Sequence, residues 1–467
     1  MQGGRRTKII ATIGPSSSSV RVLTRMIKAG MRVARLNFSH GTHSQHKSLI
    51  RHIRSASHKT GEQVAILQDL QGPKIRVGEL PDAGIMLKHG EKIVFRTGVD
   101  GYKNNEISVT YDEFHKDVKK GNRIFLNDGR LEATVESVRG RRVHARVKIG
   151  GLLTSHKGIN IPDSKVSTPA FTKKDHEDLL FGLEQDVDWV ALSFVTSEEI
   201  ILKVRRIISA KCRSLGSVPP KIIVKIERRE AVDDIVDILS VADGIMLARG
   251  DLGIEIPPEE VPIIQKEFVE ICRQAGKPVV VATHMLDSMT DSPRATRAEI
   301  SDVANAVIDH ADGVMLSAES AAGSYPDTAV RTMANVIDET EASRLDDINF
   351  YQWHNISDLE TSLAQSLHIM AENNQIDMIV SSATFPIARY LNIFRPNVPI
   401  VLACPNKSVS RQMLLRAGVY GIVAKDAPAT FIHRVEGILR KRKLVSKKDR
   451  VAYIVATPSG EIQLTIR

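Results

Sequence analysis

The sequence predicts an α/β protein: a (β/α)8 barrel with an inserted all-β lid domain and a C-terminal α/β domain. Three observations carry this expectation. Short β-branched runs alternate with helical spacings through most of the chain. The alternation breaks at Gly72-Pro73, and from 74 to about 162 short strands and turn signals replace it. The strands on both sides of that break number eight, and eight βα units favour a closed barrel over an open sheet.

Taken in order, the first unit is a strand at 8–14 (KIIATIG), a helix at Val20–Ala29, a strand at 32–37 (RVARLN), a helix at 44–60 and a strand at 64–69 (VAILQD). The interrupting stretch reads RVGELPDAGIML, HGEKIVFRTG, GNRIFLNDG and RVHARVKIGG, with no long helical pattern. Alternation resumes with 186–194 (DVDWVALSF), Lys221–Ile226, a helical spacing at 231–239, Gly244–Ala248, 278–283 (PVVVAT) and 313–317 (GVMLS). The acidic region 338–347 leads out of the barrel. A smaller unit follows, with a helix near 359–373 and apolar runs at 378–380, 399–403, 421–423 and Val451–Ala456. The expected division is 1–72 plus 163–340 for the barrel, 73–162 for the lid and 341–467 for the last domain, a candidate for effector binding or oligomerisation.

The ends of the barrel strands share one property. In order they carry Thr12; Arg35, Asn37 and Ser39; Asp69; Ser193; Lys225 and Glu227; Arg249 and Asp251; Thr283; Ser317 and Glu319. Strands buried on both faces read as apolar runs, so ionisable groups recurring at their C-terminal ends mark an active site. Glu227 and Asp251 can converge from adjacent strand ends on one hard divalent cation, and oxygen ligands with a phosphate-bearing substrate suit Mg²⁺ or Mn²⁺. Lys225 beside them is a fixed positive charge for an oxyanion. The alternative for any single residue is a surface charge at a loop start.

Bulk properties narrow the class. A chain of 467 residues exceeds one hydrophobic core. The N-terminal residues have no apolar segment of signal type, and no run is long enough to span a bilayer. Cys212, Cys272 and Cys404 are odd in number and far apart, without disulfide or zinc spacing, which fits a reducing cytoplasm. The net charge of +9, from 64 basic and 55 acidic residues, favours anionic ligands weakly and does not imply nucleic-acid binding.

The motifs at the strand ends resemble those of pyruvate kinase. They are TKIIATIGPSS (7–17), RLNFSHG (35–41), DLQGPKIR (69–76), NDGR (127–130), KGINIP (157–162), VKIE (224–227), DGIMLARGDLGIEIP (243–257), ATHMLDSM (282–289), SPRATRAEISDVANAV (292–307) and GVMLSAES (313–320). They lie in family order across about residues 7–340, while the last 120 residues match in layout more than in motif. The resemblance implies transfer of a phosphoryl group from phosphoenolpyruvate to ADP, giving pyruvate and ATP in glycolysis. It also implies a cytoplasmic homotetramer.

Roles carried over by that resemblance are specific. Glu227 and Asp251 match the carboxylates that hold the divalent ion. Lys225 matches the lysine against the transferring phosphoryl and the enolate oxygen. Arg35 matches the arginine that grips the phosphate, where a planar fork suits better than an ammonium. Thr283 matches the threonine that binds the substrate carboxylate and helps protonate the enolate carbon, and Ser317 a serine in that proton path. The amides of Gly250 and Asp251 are expected to take the carboxylate. Asn37, His40 and Arg76 are expected on the nucleotide side, with Asp128 carried by the lid, whose closure excludes water.

Other residues read more plainly. Thr12 and Ser193 are expected to shape strand ends, and His40, His43 and His46 to lie on a solvated face. His284, where the family has glutamine, reads as a tolerated polar neighbour. Arg294 and Arg297 match a segment at the subunit contact. The chain departs from the family after the KIE triplet (RREA), at Ala318, and after SF, where basic residues are missing. In SSATFPIAR (381–389), Phe385 and Pro386 interrupt the loop that cradles a sugar phosphate in members activated by fructose 1,6-bisphosphate, so weak or no response to it is expected. The run 434–450 holds eight basic and two acidic residues and reads as a solvated helix end.

The sharpest departure concerns potassium. Many relatives bind K⁺ through residues matching Asn37, Ser39, Asp69 and the carbonyl at Leu70, and read DTKGPEIR where this chain reads DLQGPKIR. Lys74 replaces their glutamate. Two positive charges ~4 Å apart repel by about 4 kcal/mol at an effective dielectric of 20, or roughly 10³ in affinity. The resemblance therefore implies Mg²⁺ or Mn²⁺ dependence without a K⁺ requirement. Two rival functions stand beside it. Another barrel enzyme acting on phosphoenolpyruvate or a related keto acid needs the two carboxylates but not the ADP-side residues. A basic binding protein needs none of the strand-end set.

Overall fold

In the computed structural model, residues 4–167, 169–346, 359–385, 387–424, 430–456 and 461–467 are described. Eight parallel strands form a closed barrel: Lys8–Thr12, Met31–Asn37, Ala65–Asp69, Trp189–Leu192, Lys221–Ile226, Gly244–Ala248, Val279–Ala282 and Gly313–Leu316. Each pairs with its neighbour in sequence order, and the eighth closes on the first with Ala11 opposite Leu316. Side chains alternate as the strand period demands. Ile10, Val33, Leu67, Ile223, Met246 and Val280 fill the interior, while Ile9, Ala34, Ile66, Ile222 and Ile245 pack outward against the helices.

The inserted unit has its own apolar core, built around Phe95, Phe114, Val135 and Val143. Its strands form a six-stranded sheet and a two-stranded one. The segment leaving it stays stitched to it past Pro162: Arg123 pairs with Asp163 at 2.7 Å, and Ser167 donates to Asp117 at 2.8 Å.

The last unit is a five-stranded sheet with four parallel strands and an antiparallel edge. That edge strand, Ile462–Ile466, escaped the sequence reading. It is mostly exposed and mixes polar with apolar side chains, so it lacks the apolar run of a buried strand. This domain also closes the bottom of the barrel: Leu414 and Leu415 join the barrel's interior cluster, and Trp189 Nε1 donates to the Gln412 carbonyl at 3.1 Å.

Two local expectations need correction. The helical spacing at 231–239 is two short helices, Arg229–Asp233 and Ile235–Val241, broken at Asp234. Of the three histidines expected on a solvated face, His40 and His43 are exposed but His46 is not. His46 is buried, stacked on Phe38 at 3.9 Å and bonded to the His40 carbonyl at 2.9 Å, and burial pushes its pKa down. His43 stacks on Phe181 and lies 2.7 Å from Asp178. Stacking on Phe38 draws the His46 ring inward, while His43 rests on the distant Phe181 and keeps 46% of its side chain exposed. Pro386 and Asp347 lie outside the described residues. Among the described residues no helix is long and apolar enough to cross a membrane.

Candidate active site

Strand register gathers the ionisable residues at one mouth of the barrel. Arg35 stands opposite Thr12 and Leu67, Asn37 opposite Asp69, and Lys225 opposite Met246. Parallel strands end together, so residues hundreds of positions apart become neighbours.

At the centre is Lys225. Its Nζ lies 2.8 Å from Glu227 Oε1, 2.9 Å from Ser193 Oγ and 3.4 Å from Asp69 Oδ1. Burial opposes the charge of this lysine, but Asp69 and Glu227 outweigh it and hold its pKa above the usual range. Asp69 also accepts from Arg35 Nε at 2.6 Å, and Arg35 Nη1 donates to Thr12 Oγ at 2.8 Å. Burial alone would raise the Asp69 pKa; Lys225 and Arg35 bring it below the ordinary value. Ser193 Oγ donates to the Leu70 carbonyl at 2.7 Å, so Thr12 and Ser193 orient the charged groups.

Glu227 is the conspicuous acid. Its Oε2 accepts the Phe194 amide at 2.8 Å, and Phe194 takes a left-handed φ of 55° at its strand end. Its Oε1 is buried and close to the Lys225 ammonium but has no aligned hydrogen bond. Burial, reinforced by the negative charge of Asp251, raises the Glu227 pKa. A buried carboxylate oxygen with unused lone pairs, and a second carboxylate near enough to repel it, is a donor set that fits a hard divalent cation. Among the described residues no cluster of three or more His, Cys, Asp or Glu side chains could hold a metal, so such an ion would take further ligands from substrate and water.

Lys74 reaches from the hinge to the helix Arg249–Glu255. Its ammonium is 3.6 Å from Asp251 Oδ1. It also flanks the lid: a β-carbon on Gly158 would lie 3.4 Å from Lys74 Cε and 3.8 Å from Asp128 Oδ1. Asp128 itself sits in a left-handed turn with φ 56°. The His40 pKa is lowered by burial and then by Arg76, Lys74, Arg35 and Lys174, a ring of positive charge at this rim. Asn37 Oδ1 accepts the Ser39 amide at 3.1 Å, and Arg76 Nη1 donates to the His156 carbonyl at 2.9 Å.

On the opposite side of the mouth, Thr283 and His284 have φ of 72° and 54°. A β-branched residue at positive φ is strained and needs firm anchoring. The Gly250 amide donates to Thr283 Oγ1 at 2.7 Å and so ties the helix start to that strand end. Arg249 Nη2 holds the Thr283 carbonyl at 3.0 Å while its fork grips Asp302 at 2.6 Å. Ser317 lies on the adjacent strand end, its amide bonded to Glu319 Oε2 at 2.7 Å; Glu319 Oε1 takes the Leu286 amide at 3.1 Å.

Family models decide the kinship. The model described as pyruvate kinase, barrel domain, matches residues 4–330, and that described as pyruvate kinase, alpha/beta domain, matches 361–465. The chain belongs to the pyruvate kinase family. It is 45% identical over 432 residues to pyruvate kinase 2 of Synechocystis sp., covering 91% of this chain and 72% of that protein. Against the pyruvate kinase of Staphylococcus saprophyticus the figures are 40% over 467 residues, 98% and 78%. The crystal structure of a pyruvate kinase from Cryptosporidium parvum superposes with a TM-score of 0.90 at 33% identity, over 99% of this chain and 96% of that one. The chain is therefore a phosphotransferase.

Several residues of this pyruvate kinase mouth received no role from the sequence. Phe194 and Arg249 act through a backbone amide and a remote aspartate, which no local motif reveals. Lys174, donating to the Phe38 carbonyl at 2.7 Å, reads in sequence as one of two helix-start lysines.

Proposed function

We propose that the chain transfers the phosphoryl group of phosphoenolpyruvate to ADP, with Mg²⁺ or Mn²⁺ and without a K⁺ requirement. The observation that carries the reading is the Lys225 ammonium held between Asp69 and Glu227 at the mouth, with Lys74 against Asp251. Phosphoryl transfer needs positioning and charge neutralisation more than covalent help.

Glu227 and Asp251 would hold the divalent ion, which when bound supplies positive charge to the phosphate and enolate oxygens. Arg35, braced by Asp69 and Thr12, presents its fork to the phosphate. Lys225 lies against the transferring group and stabilises the enolate oxygen as it forms. Thr283 and Ser317, on adjacent strand ends, relay a proton to the enolate carbon. Thr283 and the amides at positions 250 and 251 hold the substrate carboxylate, the Gly250 amide exchanging the threonine hydroxyl for it. Asn37, His40, Arg76 and Asp128 face the nucleotide. Lys74 supplies a fixed positive charge where relatives use K⁺ bound near Asn37, Ser39, Asp69 and Leu70.

We also infer a cytoplasmic homotetramer; the exposure of Arg294 and Arg297 in the single chain supports a subunit contact there. Weak or no response to fructose 1,6-bisphosphate belongs to the same reading. The test is pyruvate release from phosphoenolpyruvate with Mg²⁺, with and without ADP. Release that depends on ADP supports phosphoryl transfer; release independent of it would replace the reading with a lyase or phosphatase.

A further inference from the structure

The inserted domain reaches the barrel through two segments bonded to each other. The Ile159 amide donates to the Ile75 carbonyl and the Val77 amide to the Lys157 carbonyl, both at 2.9 Å. Such a stem can swing, so other contacts must set where the lid rests. Three of them lie along the short helix Arg249–Glu255. Lys74 is 3.6 Å from Asp251, a β-carbon on Gly129 would lie 3.6 Å from Ile254, and Asn160 Nδ2 donates to Glu255 Oε1 at 3.0 Å. Residues three and four apart share a helical face, so the lid sits on the face that bears Asp251.

Behind Glu255 stands Arg228, the residue after Glu227. Its guanidinium donates to Glu230 through Nε at 3.1 Å and Nη2 at 3.2 Å. Nη2 also faces the hinge carbonyl of Ser164 at 3.4 Å and lies 4.0 Å from Glu255 Oε2. The Glu255 side chain is only 6% exposed, so removing either neighbour leaves a desolvated carboxylate short of partners. Asn160, Arg228 and Glu255 border a hinge cleft with about 50 Å³ of free space. That is room for little more than water, so these polar groups serve each other and not a ligand.

We propose that Asn160, Glu255 and Arg228 form a latch that seats the lid on the helix Arg249–Glu255. They are positioning residues: the latch fixes the lid's Asp128 and the hinge residue Arg76 relative to Asp251. The inference rests on the phosphoryl-transfer reading of this mouth. The nucleotide side is shared between lid and barrel, whereas Lys225, Glu227 and Thr283 belong to the barrel alone. A loosened latch therefore weakens ADP more than phosphoenolpyruvate.

Arg228→Asn and Asn160→Ala each raise the KM for ADP by about three- to thirtyfold and leave that for phosphoenolpyruvate within about twofold. Glu255→Gln keeps an acceptor for Asn160 and restores most of the ADP affinity lost in Glu255→Ala. An activity-independent measurement accompanies these: spin labels on Lys120→Cys in the lid and Arg206→Cys in the barrel, both exposed, with the three native cysteines buried. The latch predicts a distance distribution that broadens in Arg228→Asn and in Asn160→Ala. Unchanged distances, an unchanged ADP KM, or equal losses for both substrates would overturn it. Should the unmodified chain lack ADP-dependent pyruvate formation, the reaction assignment falls while the distances still decide the latch.

Discussion

One buried carboxylate at the barrel mouth, Glu227, differs from those at the other end of the barrel. At the N-terminal ends of the strands, Asp312 accepts from Arg395 at 2.7 Å, Asn392 at 3.3 Å, and the amides of Val279 at 3.0 Å and Ala417 at 2.8 Å. Asp188 accepts from Arg411 at 2.6 Å, Arg54 at 3.0 Å and the Ile66 amide at 2.8 Å. Each of these oxygens has a partner, and the donors come from both the barrel and the C-terminal domain. At the other end, Glu227 Oε1 has a cation beside it but no aligned hydrogen bond. A saturated buried carboxylate holds a fold together, while one with unused lone pairs at an open mouth has capacity for a ligand.

The saturated end carries the largest expected effect on stability. Asp312→Ala leaves Arg395 buried without its partner and should cost about 3–5 kcal/mol, read from urea unfolding. A loss under about 1 kcal/mol would mean that the aspartate is not a structural hub.

Lys225→Ala is the counterpart at the mouth. Turnover should fall by about 10²–10³ or more, with the unfolding midpoint moving less than in Asp312→Ala. Turnover within about tenfold of normal in a folded variant would remove Lys225 from the mechanism.

Glu227→Gln removes the charge from the carboxylate with unused lone pairs. The Mg²⁺ concentration for half-maximal activity should rise about tenfold or more, at about 1.4 kcal/mol per decade. An unchanged Mg²⁺ dependence would assign the ion to other ligands.

The smallest effect is an expected equality. Turnover in tetramethylammonium buffer should change by less than about twofold on adding K⁺, while Lys74→Glu should become K⁺-dependent. Strong activation of the unmodified chain by K⁺ would end the charge-replacement idea. The 3.6 Å contact with Asp251 adds a second expectation, that Lys74→Glu also alters the Mg²⁺ dependence.

Local pattern was enough for much of this protein. β-branched runs between helical spacings mark barrel strands because a buried parallel strand must be apolar along its length. The same rule exposed Lys225, Glu227, Asp251 and Thr283, since a polar residue at the end of such a run needs a reason to be there. The interruption at Gly72-Pro73 was equally legible, because proline and glycine end regular structure.

Partnership was not legible, because it depends on barrel closure. Asp69 and Asp312 both flank apolar strands in sequence, yet one meets Arg35 and Lys225 at a mouth and the other meets Arg395 beneath the barrel. His46 looks solvated until Phe38 stacks on it. Lys74 reads as a substitute for a bound cation, and only the packing shows that the hinge also carries it to Asp251. Leu414 and Leu415 show no sign in their own segment that they plug a barrel built from residues up to about 400 positions away. Periodicity records which face of an element is buried. The group waiting on the other side is set by how distant elements pack, and there the charges acquire their partners and the site its chemistry.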